Sequence, residues 1–233
     1  MRSWLRVGAG ALVVGVVTAG CQWPRDVDGT LERVRGGTLR VGVVEAEPWA
    51  AAAEGPRGVE VRLVEELAGR VGAEVSWVPG ATAELVSGLH DGALDLVVGG
   101  LTAQDPWTAE VTFTRPYVTT RTVVAVPGGE PAPEDVAGRT VRLEADPQLE
   151  GLLRSAGAVP QVVPDAGGGT GPVAVEDWEL DLHGLRGTGV ELQSADHVWA
   201  VRSGESGWQV EVERFLLRLD PAHVQRLLDE EGA

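Results

Sequence analysis

The chain has no lysine, no asparagine and no isoleucine, and only one cysteine, one methionine, one tyrosine and two phenylalanines among 233 residues. The three missing types share AT-rich codons, so GC-rich coding accounts for them without invoking a function. With lysine gone, every fully basic side chain is arginine, and 19 of these oppose 35 Asp and Glu for a formal charge of −16. A surface of that sign repels phosphate, which argues against nucleic acid as a partner and leaves cationic ligands or basic protein surfaces open. A lone cysteine excludes an internal disulfide. The four histidines, His90, His183, His197 and His223, are scattered without metal-ligand spacing, so they are expected at the surface or in packing, with no metal and no cofactor. A hydrophobic content of 43% with 23% charged residues is that of an ordinary globular chain, long enough for one large domain or two small lobes.

What is present begins at the N-terminus. Arg2 and Arg6 precede an apolar stretch from Val7 to Thr18, the charged-then-apolar order of a secretory signal and too short to span a bilayer. It closes on Thr18-Ala19-Gly20-Cys21, which resembles the lipobox of bacterial lipoproteins. That resemblance implies a signal over residues 1–20, acylation of Cys21 and lipid as the sole anchor. The mature charge would then be 17 − 35 = −18, since Arg2 and Arg6 leave with the signal. An unmodified Cys21 near an ordinary cleavage site is the alternative.

Residues 21–37 mix charges with Pro24, Gly29, Gly36 and Gly37 and read as a tether with one helical turn at Leu31–Val34. Alternation of elements follows. Thr38–Val44, Glu74–Val78 and Leu94–Val98 read as strands. Val59–Val71 carries apolar residues at helical spacing with Gly72 as its stop, and Thr82 opens a second helix through Leu89. Strand-helix-strand-helix-strand implies right-handed crossovers and a parallel sheet, with ligands beyond the carboxyl ends of the strands. Further strands are expected at 122–126, 139–143, 161–163, 173–175 and 197–202, and helices at 148–156, 208–219 and 221–230. The glycine run of 164–172 forms no helix. The chain thus leaves one lobe (38–123 and 198–233), builds a smaller one (124–197) and returns.

Several motifs occur in an order that resembles the family 3 solute-binding proteins of ABC importers. They are DGTLERVRGGTLRVGV (28–43), GVEVRLVEELAGRVGAEVSWV (58–78), GLHDGALDLVVGGLT (88–102), FTRPY (113–117) and DHVWAVRSGES (196–206). The resemblance implies an α/β clamshell of the type 2 periplasmic-binding-protein class, its two lobes joined by two crossing strands. Such a clamshell closes on a small solute and presents it to a permease, as a monomer without catalytic residues.

The same resemblance assigns a site. Trp49 stands where the family packs an aromatic on its ligand, and Gly100 and Thr102 where it offers an amide and a hydroxyl. Asp177 fits the acid that holds an ammonium group, beside Glu176, Trp178 and Glu179. Trp107 falls where amino-acid-binding members clamp a carboxylate with arginine, and indole carries one uncharged donor in its place. Asp146-Pro147 replaces a Gly-Thr pair that receives the carboxylate. An acid with several indoles suits a cationic or amine ligand. Two other functions remain open: a ligand-independent accessory of a membrane transporter or antiporter, and a dehydratase or lyase using Glu45, Glu47, Glu176 or Asp177 as general acid.

Overall fold

The computed structural model describes residues 26–53 and 55–232. The expected signal and Cys21 lie outside the described residues. In chain order the elements are α1 (Thr30–Val34), β1 (Thr38–Val43), α2 (Val59–Val71), β2 (Glu74–Pro79), α3 (Thr82–His90), β3 (Leu96–Val98) and β4 (Thr112–Phe113). There follow β5 (Val118–Pro127), β6 (Thr140–Leu143), α4 (Pro147–Ser155), β7 (Val159–Val162), β8 (Val173–Glu176), β9 (Leu185–His197), β10 (Ala200–Val201), α5 (Ser206–Leu216) and α6 (Pro221–Glu231). Short 3₁₀ turns occupy Pro106–Ala109 and Asp177–Glu179.

The first sheet has the order β2-β1-β3-β10-β4. Its first three strands are parallel, as the alternation of elements requires, and β10 runs against both neighbours. Leu63 and Leu67 of α2 meet Leu39 and Val41 of β1, together with Trp199 and with Trp208 of α5, in one buried cluster. Leu85 and Leu89 of α3 pack with Val97 and Val198 in another. The second sheet has the order β7-β6-β8-β5-β9. Leu149 and Leu153 of α4 pack with Val124, Val141 and Leu143, while a smaller cluster centres on Ala125, Ala166, Val173 and Val175. Residues 164–172 hold no helix, as the three glycines dictate.

Two strands join the lobes. β5 and β9 pair antiparallel from Val118 opposite His197 to Pro127 opposite Leu185, with register shifts near Val123 and Ala125. β5 is longer than the 122–126 expected. Of the strand expected at 197–202, β10 forms Ala200–Val201, and β9, which was not expected, precedes it and ends at His197. Its sequence, LRGTGVELQSADH, contains Gly187 and Gly189 and buries little, so no apolar alternation announces it. The lobes also touch at the 3₁₀ turn of residues 177–179. There Trp178 packs against the first lobe's cluster, and a Cβ on Gly232 would stand 2.5 Å from the indole.

Residues 26–37 do not behave as the expected tether. Asp26 accepts from the amides of Leu31 and Trp208, and buried Glu205 accepts from those of Asp28 (2.8 Å) and Thr30 (3.0 Å). Asp95, 1% exposed, completes the anchorage. Its carboxylate pairs with Arg33 and Arg40, each at 2.7 Å, and accepts from the Arg40 amide. Its carbonyl accepts from the Trp208 indole at 2.8 Å. α1, β1 and α5 therefore converge on one residue.

Burial pushes the Asp95 carboxyl up, but hydrogen bonds from Arg40 and Arg33 outweigh it and hold it below the usual range. A depressed carboxyl stabilises the fold above the unfolded value near 3.9, and that stability is lost as pH falls. Asp95→Ala should cost about 3 kcal/mol in urea unfolding at pH 7, because it strands two guanidiniums that keep partial contact with water. The deficit should shrink below pH 4. A variant of wild-type stability would refute the anchorage.

Candidate functional site

Glu60 lies in the first turn of α2 and is fully buried. Its Oε2 accepts from the amides of Gly99 (2.5 Å) and Gly100 (2.9 Å), and its Oε1 from the Tyr117 hydroxyl (2.6 Å) and the Trp199 indole (3.1 Å). Burial raises the carboxyl above its ordinary range, and the four donors pull against that rise. Gly99 must be glycine: at φ 129° a Cβ would stand 2.3 Å from the Val44 carbonyl oxygen. The Gly100 amide, expected to face a ligand, is thus engaged by Glu60.

The other expected site residues separate. Thr102 bridges His197 in the backbone, and its amide donates to Asp105. Trp107 is half-buried against the cluster of Leu85, Leu89 and Val97. Asp177 accepts from the Arg121 amide at 3.1 Å and pairs with its guanidinium at 3.5 Å. Trp49 alone of the five lines the cavity between the lobes, where it is 8% exposed and stacks on His197 at 3.8 Å.

That cavity has a volume of about 470 Å³. The loop after β1 contributes Glu47, Pro48 and Trp49. The crossing strands add Thr120, Ala195 and His197. The second lobe adds Glu176, Trp178 and Glu179, and α6 brings Glu231 and Gly232 across the mouth. Four carboxylates and two indoles line it, with no guanidinium. Burial pushes both the Glu176 and Glu179 carboxyls up. His197 is 5% exposed, its Nε2 lies 3.1 Å from the Thr120 hydroxyl, and its Nδ1 is buried without a partner. The acids beside Asp177 were visible in the sequence, whereas His197 and Thr120 join the site only through the register of β5 and β9.

The sequence profile of the bacterial extracellular solute-binding proteins, family 3, matches residues 39–229. The chain belongs to that family. In this family 3 chain the two lobes and two crossing strands are those of its solved neighbours. One is the L-cystine solute receptor of Neisseria gonorrhoeae in its unliganded open conformation (TM-score 0.67, 16% identity, 86% of this chain and 95% of that one). Another is the second substrate binding domain of a putative amino acid ABC transporter from Streptococcus pneumoniae (0.65, 18%, 84% and 100%). A third is a putative ABC-transporter binding component from Wolinella succinogenes complexed with lysine (0.56, 19%, 83% and 94%). At such identities the likeness concerns the fold. No curated protein is a recognisable match. Among the described residues, no helix is long and apolar enough to cross a membrane.

Two outcomes follow from these contacts. Glu60→Gln is nearly isosteric but turns an amide NH₂ toward groups that donate, so it should destabilise by about 2 kcal/mol or more in urea unfolding. A neutral result would show that the pocket needs only filling. Burial also lowers His197 to about 4, against the opposing pull of the Asp196 charge. Its neutral form stabilises the fold above the unfolded value near 6.5, and that stability is lost as pH falls from 6.5 to about 4, on the order of 3 kcal/mol. Stepped-pH denaturation of wild type and His197→Gln should differ in that window, and parallel curves would contradict it.

Proposed function

We propose that this family 3 protein captures a small cationic solute, such as an amine, a betaine or a cationic amino-acid-like molecule, in the cavity between its lobes. It then delivers the solute to an ABC permease. The observation that carries this reading is the wall of the cavity, with Glu47, Glu176, Glu179 and Glu231 set around Trp49 and Trp178. Arg57 answers Glu47 and Arg62 lies near Glu231, but among the described residues no guanidinium pairs with Glu176 or Glu179. A cation entering it gains Coulomb attraction from acids that burial has left under-compensated, and cation–π contact with the indoles. Closure about β5 and β9 brings the acids of the second lobe to the aromatic wall of the first, so the ligand favours the closed arrangement through contacts available only there. Acylation of Cys21 would hold the protein, as a monomer, at the outer face of the membrane.

Trp49 and the acids next to Asp177 are the ligand contacts in this reading. Gly100 and Asp177 serve through the neighbours they position, Trp107 supports the first lobe's edge, and Thr102 fixes the strand that carries His197.

A second reading has one observation in its favour. Trp178 already spans from the second lobe to Gly232, and residues 164–172 leave the connection from β7 to β8 without a helix. Both suit a ligand-independent accessory of a transporter. Thermal unfolding in the presence of lysine, arginine, glycine betaine and linear amines separates the two. The binding reading expects stabilisation near 2.7 kcal/mol at a hundredfold excess over Kd, and Glu176→Gln should weaken binding about tenfold. Unchanged melting with every cation would leave the accessory reading standing.

A further inference from the structure

Besides the two crossing strands, the lobes meet through side chains at the rim of the cavity. There Trp178 of the second lobe packs against the first lobe's core and against the end of α6. Each side of that contact is fixed within its own lobe. Trp178 is the middle residue of the 3₁₀ turn Asp177–Glu179, and the turn is clamped at both ends. The Glu176 amide donates to the Glu179 carboxylate at 2.8 Å, and the Glu179 amide donates to the Glu176 side chain in return. Asp177 accepts from the Arg121 amide at 3.1 Å and pairs with its guanidinium at 3.5 Å, which fastens the turn to β5.

α6 is held as firmly on the other side. Val224, Leu227 and Leu228 are buried in the first lobe's core. His223 Nε2 lies 2.8 Å from Glu66 of α2, and Arg62 of α2 pairs with Glu230. The helix closes on Gly232, whose amide donates to the Leu228 carbonyl at 2.9 Å.

The fit between the two sides is read most directly at Gly232. Its φ of −91° and ψ of −1° are open to any L-residue, so the backbone does not call for glycine. The indole does. A Cβ there would stand 2.5 Å from Cζ3 of Trp178 and 2.9 Å from Cη2. The ring occupies the space that a side chain would need.

The contact also has an opponent. Glu47 and Glu231 of the first lobe stand around the same cavity as Glu176 and Glu179 of the second. Like charges on two lobes favour separation, and two crossing strands form a hinge rather than a fused interface. Apolar burial at the rim acts in the opposite sense.

We infer that Trp178 is an interlobe latch. Seated against Gly232, the indole holds the lobes together through the protein's own atoms, and opening about β5 and β9 begins with its withdrawal from α6. The latch does not depend on which solute the cavity takes. It adds one condition to the cation reading: a solute that enters by hinge opening waits for the unlatched form, so its apparent affinity is reduced by the fraction unlatched.

Small-angle X-ray scattering on the intact chain, with no solute added, tests this. Gly232→Leu drives a side chain into the seat of the indole, one residue past α6. Trp178→Ala removes the ring instead. Both variants should keep the wild-type circular dichroism and raise the radius of gyration by roughly 1 Å over the ~17 Å of a compact chain of this length. A folded variant of either kind that scatters like the wild type would overturn the latch. A wild-type curve that fits only separated lobes would overturn it as well. Neither result touches the cation reading, which the melting experiment above decides on its own.

Discussion

One buried carboxylate organises the first lobe. Glu60 gathers two consecutive backbone amides, a phenol and an indole, so the end of β3, the approach to β5 and the exit from β9 are all tied to the first turn of α2. The arrangement is stable because four donors are aimed at a fully buried carboxylate that water does not reach. It fixes where the two crossing strands leave the lobe, and hence where the second lobe is attached. The floor of the interlobe cavity, Trp49 stacked on His197, rests directly above it. A Cβ at Gly100 would stand 3.0 Å from the Trp49 ring, which measures how closely that floor is laid.

The cavity draws its character from an imbalance between lobes. On the first lobe, acids are answered by arginines, as in Arg57 with Glu47 and Arg62 with Glu230. On the second, Asp146, Glu176 and Glu179 are answered by amides, a hydroxyl and one histidine at 3.9 Å. Neutral donors satisfy geometry without cancelling charge. Trp178, seated over Gly232, brings the lobes into contact at the rim of this acidic space. The charge that argued against nucleic acid at the level of composition is thus concentrated where a solute would sit.

Much of the fold was legible in the residues themselves. The helical spacing of Val61, Val64, Leu67 and Ala68, the stop at Gly72 and the apolar run before Gly99 placed α2, β2, α3 and β3 to within two residues, because each element buries one face and its pattern records that face. β9 was not legible, since a half-exposed strand between lobes needs no alternation. The packed start of the chain was not legible either. Residues 26–37 look like a mixed-charge tether, yet their acids and amides find partners in Glu205, Trp208 and Asp95, more than fifty positions away.

The site divides in the same way. That acids and indoles would meet between the lobes was an expectation drawn from a resemblance in an ordered set of motifs, and the cavity is lined by four glutamates and two tryptophans. Which acids and which indoles depended on orientation. Asp177 turned to Arg121, Trp107 turned to the core of α3, and Glu176 with Glu179 faced the cavity in their place. By itself the sequence determined the class of fold and the sign of the charge, because these depend on local periodicity and composition. Only the tertiary structure decided that Glu60 takes the Gly100 amide and that His197 Nδ1 is buried without a partner. Both depend on distances between residues far apart in the chain, and no local pattern encodes them.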